Sequence, residues 1–170
     1  MNSMDFLMDK INSQKSRETD FVVVLPYTKD KILMQLRDDK ESISFPGQWG
    51  FFGGAVNDKE TSLEAAKREL FEEIGFKPKS MHKFYSAEIP EIGNLISDAH
   101  CCQLTVPVQD IKLSEGTDLG LFSVEQIRTG KLYSAKMKKE FPVIGISYLM
   151  DAVGAFLDYA KKKNIKIEAV

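Results

Sequence analysis

Residues 61–75 constrain the fold more than any other stretch of this chain. Leu63, Ala66, Leu70 and Ile74 recur at helical spacing, which predicts a helix over 61–74 with one apolar face toward a core. Thr61 and Glu64 have the spacing of a capping box. Gly75 supplies a C-terminal stop, and Pro78 lies just beyond it. The same helix carries Glu69, Glu72 and Glu73, with Arg68 beside them. At about 100° per residue, the three acids share an arc of roughly 100–140°, apart from the apolar stripe.

That crowding has a cost. Like charges at i and i+4 repel, and acids in the last turn meet the negative end of the helix dipole. Nearby in sequence, only Arg68 compensates, four residues before Glu72. An acidic helix is ordinarily a solvated face, but these two penalties argue against that here. A hard divalent cation would remove the conflict. Mg²⁺ takes oxygen ligands and favours carboxylates that share it with phosphate oxygens.

The rest of the chain is consistent with one α/β domain. Its 170 residues are enough for a single core, and 43% hydrophobic with 28% charged residues is a globular composition. A net charge of −2 gives no basic excess for nucleic acid. Residues 1–20 lack the basic start and apolar run of a signal peptide, and no segment nears the ~20 apolar residues of a membrane span. A cytoplasmic location is the expectation. Cys101 and Cys102 are adjacent, so in a strand they would point to opposite faces and make poor disulfide partners.

Strands are predicted at 20–27, 31–37, 49–54, 83–90 and 100–108, with 91–98 as a loop. The segment 115–123 reads as a loop entering a short strand. A short helix capped by Ser123 is expected over 123–130, and a long C-terminal helix over 142–163 with Pro142 in its first turn. Residues 1–19 form an N-terminal extension, and 1–17 suit either a short helix or a mobile end. Residues 20–170 form the main domain. The segment 141–159 is apolar on more than one face, which suits core packing or a homodimer surface.

Gly54, five residues, Glu60, seven residues, then Arg68-Glu69-Leu70-x-Glu72-Glu73-x-Gly75-Phe76 resembles the Nudix box without a departure. A chance match at these nine positions is on the order of 10⁻⁷. The resemblance implies an α/β/α sandwich with a mixed sheet. It also implies Mg²⁺-dependent hydrolysis of a nucleoside diphosphate linked to another group, with Mn²⁺ able to substitute. By the same resemblance Glu69, Glu72 and Glu73 look like metal ligands, and the backbone carbonyl of Gly53 completes the shell. Glu72, Glu73 and Arg68 carry the catalysis, with Arg68 orienting the glutamates. Gly54, Glu60 and Gly75 are the structural positions of the box.

Outside the box, some Nudix enzymes take a further acid from a distant loop. Glu115 and Asp118 fit that place, ahead of Glu91. Trp49 is the expected stacking residue for a base, although aromatics in a short strand are more often core. His82 and His100 fall in no motif and read as ordinary surface or core histidines. The expected substrate is a small nucleotide. Pro90, near the place of a proline in ADP-ribose and sugar-nucleotide enzymes, favours an NDP-sugar or ADP-ribose-like metabolite. The alternatives are a nucleoside triphosphate pyrophosphohydrolase and a non-catalytic nucleotide sensor.

Overall fold

A computed structural model describes residues 18–165. The short helix considered for residues 1–17 lies outside them. The chain first forms β1 (Phe21–Tyr27) and β2 (Ile32–Leu36), two apolar runs joined by a polar turn. β3 (Trp49–Gly50) leads to α1 (Ser62–Ile74), followed by β4 (His82–Ile89), β5 (Leu95–Gln103) and β6 (Asp118–Phe122). α2 (Val124–Arg128), β7 (Lys131–Ser134), β8 (Lys139–Pro142) and α3 (Ser147–Lys162) complete it.

The main sheet runs β3-β2-β1-β5-β4, and β6 also pairs with β2. β1 and β5 are parallel and the other pairs antiparallel, so the sheet is mixed, as expected. Period-2 alternation gives each strand two faces. Val22, Val24 and Cys102 pack toward α1 with Ala65, Ala66 and Leu70. Leu25, Met34 and Cys101 pack on the other side with Val153 and Phe156 of α3. The two cysteines are free and lie on opposite faces, and burial pushes both thiols up to about 12.

α1 forms as its local signals dictate. Thr61 and Glu64 make the reciprocal capping box, and Gly75 ends the helix at φ 65° with its N–H on the Phe71 carbonyl. The stripe is shifted, however. Ala65 is buried, whereas Leu63 is 37% exposed.

Several boundaries differ from expectation. β5 begins at Leu95, inside the expected loop, because Gly93 and Asn94 take positive φ and turn the chain within two residues. Ser97, Asp98 and His100 disguise that strand, since all three are polar yet buried. Pro142 ends β8 instead of opening α3, and the hairpin β7–β8 occupies residues expected to be helix or unassigned. The β3 ladder stops at Gly50, and Phe52 and Ala55 make single bridges to β1. α3 is thus shorter than expected, and Tyr148, Leu149, Ala152, Val153, Phe156 and Ala160 are buried within this chain. Among the described residues no helix is long and apolar enough to cross a membrane.

Candidate active site

The last turn of α1 holds Glu73 against the sheet. Only 4% of the residue is exposed. Its Oε1 accepts from Gln35 Nε2 at 2.7 Å, and its Oε2 accepts from the Gly53 N–H at 2.9 Å. Its own carbonyl accepts from the Ser114 N–H at 2.7 Å. Burial pushes the Glu73 carboxyl up to about 7. The negative charges of Glu69 and Glu115 add to that rise, and the two hydrogen bonds oppose it.

Arg68 organises the other acids. Its Nε and Nη2 fork onto Glu60 at 2.8 and 2.9 Å, its Nη1 reaches Glu69 at 2.6 Å, and Nη2 also donates to the Ala55 carbonyl at 2.9 Å. The contact with Glu72, expected from the i+4 spacing, is the longest at 3.3 Å, and that side chain is 58% exposed. The longer reach to Glu72 has a simple cause. The loop before α1 brings Glu60 to the guanidinium in the planar geometry a fork prefers. Arg68, helped by the Asn57 N–H, holds the Glu60 carboxyl down at about 2.

The glycine pair fits between these groups. Gly53 has φ 134°, and a Cβ there would lie 2.0 Å from the Val22 carbonyl oxygen. A Cβ on Gly54 would lie 2.6 Å from the Glu69 carboxylate. Gly53→Ala is therefore expected to yield insoluble or unfolded protein, because backbone blocks the methyl. Gly54→Ala should fold, as judged by circular dichroism, with Glu69 displaced and turnover lower by about tenfold or more. A folded Gly53→Ala, or a Gly54→Ala with parental turnover, would contradict this geometry.

Two cavities flank the site. One, of about 490 Å³, is walled by Phe21, Phe51, Ile144, Ile146, Tyr148 and the backbone of Gly53–Gly54, with Asp20 and Arg37 as its charged residues. The other, of about 310 Å³, is polar and is lined by Gln35, Arg37, Asp38, Lys40, Ser42, Glu73, Ser114 and Glu115. Arg37 lines both.

Of the two loop acids expected from sequence, Glu115 shares a cavity with Glu73. Asp118 is turned away. It accepts from the Ser134 hydroxyl, the Lys136 N–H at 3.2 Å and its own neighbour's N–H at 2.8 Å, which anchors the β7–β8 hairpin. Glu91 accepts from the Ser147 N–H at 3.1 Å and hydroxyl at 2.6 Å, capping α3. Trp49 is fully buried, donates its indole N–H to the Leu132 carbonyl at 3.0 Å and packs edge-on against Phe122. It has no free face for a base, and Phe51 lines the cavity instead. Gln35 and Arg37 were not anticipated. A glutamine inside the apolar run of β2 was the available signal for the first.

The donor set is all oxygen, which suits a hard divalent cation. Among the described residues no three acid, histidine or cysteine side chains converge as a ready-made cation cage. The side chains as they stand answer to Arg68 (Glu69 and Glu72) and to Gln35 and Gly53 (Glu73). The buried, partly protonated Glu73 beside two further acids is a cluster whose repulsion a cation would relieve.

The sequence model described as NUDIX domain matches residues 17–137. An oxidized purine nucleoside triphosphate hydrolase from Danio rerio is 40% identical over 55 residues, which cover 32% of this chain and 35% of that protein. The match therefore spans about a third of that relative's length. Among solved structures, a NUDIX hydrolase from Nitrosomonas europaea superposes with a TM-score of 0.61 at 17% identity, covering 89% of this chain and 77% of its own. The NUDIX domain of Shewanella oneidensis NrtR, complexed with ADP ribose, superposes with a TM-score of 0.58 at 13% identity, covering 92% of this chain and 99% of its own.

Proposed function

Since the chain belongs to the Nudix family, we propose that it is a divalent-metal-dependent hydrolase that cuts the diphosphate linkage of a nucleoside diphosphate derivative. The observation that carries this reading is the buried Glu73. It stands with Glu69 and Glu115 beside a glycine pair, between an apolar cavity and a polar one.

Glu69, Glu72, Glu73 and Glu115, with the Gly53 carbonyl, would hold the cation, Mg²⁺ first and Mn²⁺ in its place. When bound, the cation neutralises phosphate oxygens and lowers the pKa of water. The chain's own groups do the positioning. Arg68 fixes Glu69 and ties the Gly53–Glu60 loop to α1 through Ala55 and Glu60. Gln35 and the Gly53 N–H aim Glu73. The absence of side chains at Gly53 and Gly54 lets a diphosphate approach the backbone closely. The apolar cavity has the volume and lining of a small-molecule pocket and suits a base.

The polar cavity favours an NDP-sugar or ADP-ribose-like substrate. Its hydroxyl, amide and carboxylate lining suits a hydroxyl-rich group beyond the diphosphate, and Arg37 suits the phosphate nearest that group. A second reading, a nucleoside triphosphate pyrophosphohydrolase, is favoured by the 40% identity to the oxidized purine nucleoside triphosphate hydrolase. Product analysis on a nucleotide panel with Mg²⁺ separates them. Release of a nucleoside monophosphate with a sugar phosphate selects the first, and release of pyrophosphate the second. Tight binding of a nucleotide with no turnover of any would sink both and leave a sensor.

A further inference from the structure

The first turn of α3 breaks a helix-capping rule, and the break involves the apolar cavity. Its N-cap residue is Ile146, which makes no side-chain cap bond. Isoleucine is among the poorest residues for that position, where serine, threonine, aspartate or asparagine would satisfy an orphan amide locally. Ile146 lines the cavity instead, next to Ile144 and Tyr148. The missing acceptor arrives from a second part of the cavity wall. Glu91, in the one-turn helix Pro90–Ile92, accepts from the Ser147 N–H at 3.1 Å and from its hydroxyl at 2.6 Å. A carboxylate is also the charge favoured at this end of a helix.

The residues on either side of Glu91 explain what the link joins. Ile89, Ile92 and Leu95 all line the same cavity. The Asn94 N–H bonds to the Ile89 carbonyl at 3.0 Å and the Gly93 N–H to the Pro90 carbonyl at 3.3 Å, so the turn carries these three side chains as one unit. Ile92 and Ile146 pack against the same buried cluster of Ile89, Ala99, Tyr148 and Ala152. Deep in the wall, the Tyr148 hydroxyl donates to the Ser97 hydroxyl at 2.8 Å, and both residues are buried. Glu91 and Ser147 are exposed and line no part of the cavity, so their link ties the two arms together at the surface.

We propose that the Glu91–Ser147 link determines base specificity, by fixing the spacing between the Ile89–Leu95 arm and the Ile144–Tyr148 arm and so the width of the slot that takes the base. This rests on the apolar cavity being the base pocket. Glu91 is a positioning residue that acts through Ile92 and Ile146 and touches neither nucleotide nor metal. A local cap at position 146 would serve α3 equally well, but it would put a polar side chain on the pocket wall and leave the two arms unjoined. Holding the walls at their bound spacing before the base arrives removes an ordering cost from binding.

The test is a calorimetric titration of the four common nucleoside monophosphates into the Mg²⁺-loaded full chain, with Mg²⁺ affinity and circular dichroism measured alongside. Glu91→Ala should weaken the tightest of the four about tenfold and narrow the discrimination among them, with Mg²⁺ affinity and fold unchanged. Ser147→Ala keeps the backbone bond and should weaken it by about threefold. Glu91→Gln keeps the acceptor oxygen and should stay within about twofold of the parent. Parental affinity and discrimination in Glu91→Ala, even with a lower melting temperature, would reduce Glu91 to a helix cap and overturn the proposal. Mg²⁺ affinity falling in step with nucleotide affinity would overturn it too, as a general disturbance of the fold. If Glu91→Ala does not fold, Ser147→Ala decides, and parental binding there counts against the link. A parent that binds none of the four removes the base pocket itself, whereas binding that ignores both residues removes only the link.

Discussion

Glu73→Gln is expected to lower turnover about a thousandfold while making the chelator-treated protein more stable at alkaline pH. The first effect follows, on the proposed function, from losing a charged oxygen where the cation and the diphosphate would meet, worth several kcal/mol at the transition state. The second follows from burial. The Glu73 carboxyl rises from 4.5 to about 7 on folding, so the folded chain holds this proton more tightly than the unfolded chain. Its ionisation costs nothing below pH 4.5. The cost grows as pH climbs through 7 and is complete above it, on the order of 3 kcal/mol. Glutamine removes that cost but places an amide N–H₂ toward a donor, either Gly53 or Gln35, which takes back part of the gain. The net expectation above pH 8 is about 1–2 kcal/mol, or about 3–6 °C in melting temperature. Near pH 4 the gain should vanish. Added Mg²⁺ should then stabilise the parent and leave the variant unmoved. Parental turnover in the variant, or a variant less stable than the parent at pH 8, would refute the assignment.

Arg68→Lys is expected to cost about 10–100-fold in turnover with little change in KM. Arginine reaches Glu60, Glu69 and the Ala55 carbonyl together because its five donors lie in one rigid plane. A lysine ammonium keeps the charge and loses that geometry. Glu69 would then be released, and the Gly53–Glu60 loop would lose its anchor to α1. Metal affinity should fall in step with turnover, as measured by calorimetry and initial rates. If Arg68 instead gripped the diphosphate, KM would rise sharply at saturating Mg²⁺ while metal affinity held, and that pattern would reverse the interpretation.

What sequence reveals here depends on how local each cause is. α1 is legible because its cap, stripe and stop all lie within fifteen residues, and the acids it carries announce themselves by their mutual repulsion. The first half of β5 is not legible, because Asp98 is buried with partners that include Lys83 and Thr19, the latter 79 residues away. Trp49 misleads for the same reason. Its indole N–H is satisfied by a carbonyl 83 residues on, so nothing nearby marks it as core. The β7–β8 hairpin hides behind its lysines, since β7 alternates exposed and buried over only four residues and one of its two buried side chains is the polar Ser134. In the candidate site, the box residues lie close together in sequence, whereas Gln35, Arg37 and the two cavities come together only once β2 lies beside the glycine loop.

The parallel pair at the centre of the sheet bears on how this chain reaches its native state. β1 and β5 match over seven residues, Phe21 with Ser97 through Tyr27 with Gln103, and the backbone of Ile96 bonds to Asp20 across 76 residues. That pairing closes a long loop before it returns any contact energy, which makes it a slow step. α1 and the β4–β5 hairpin need no such closure and form early. The glycine pair is held against β1 through the Val22 and Val24 amides, so its alignment with Glu73 waits on the slow step. In a refolding experiment helical signal should therefore return well before catalytic competence, and the chemistry of the molecule should serve as the clock for its least local contact.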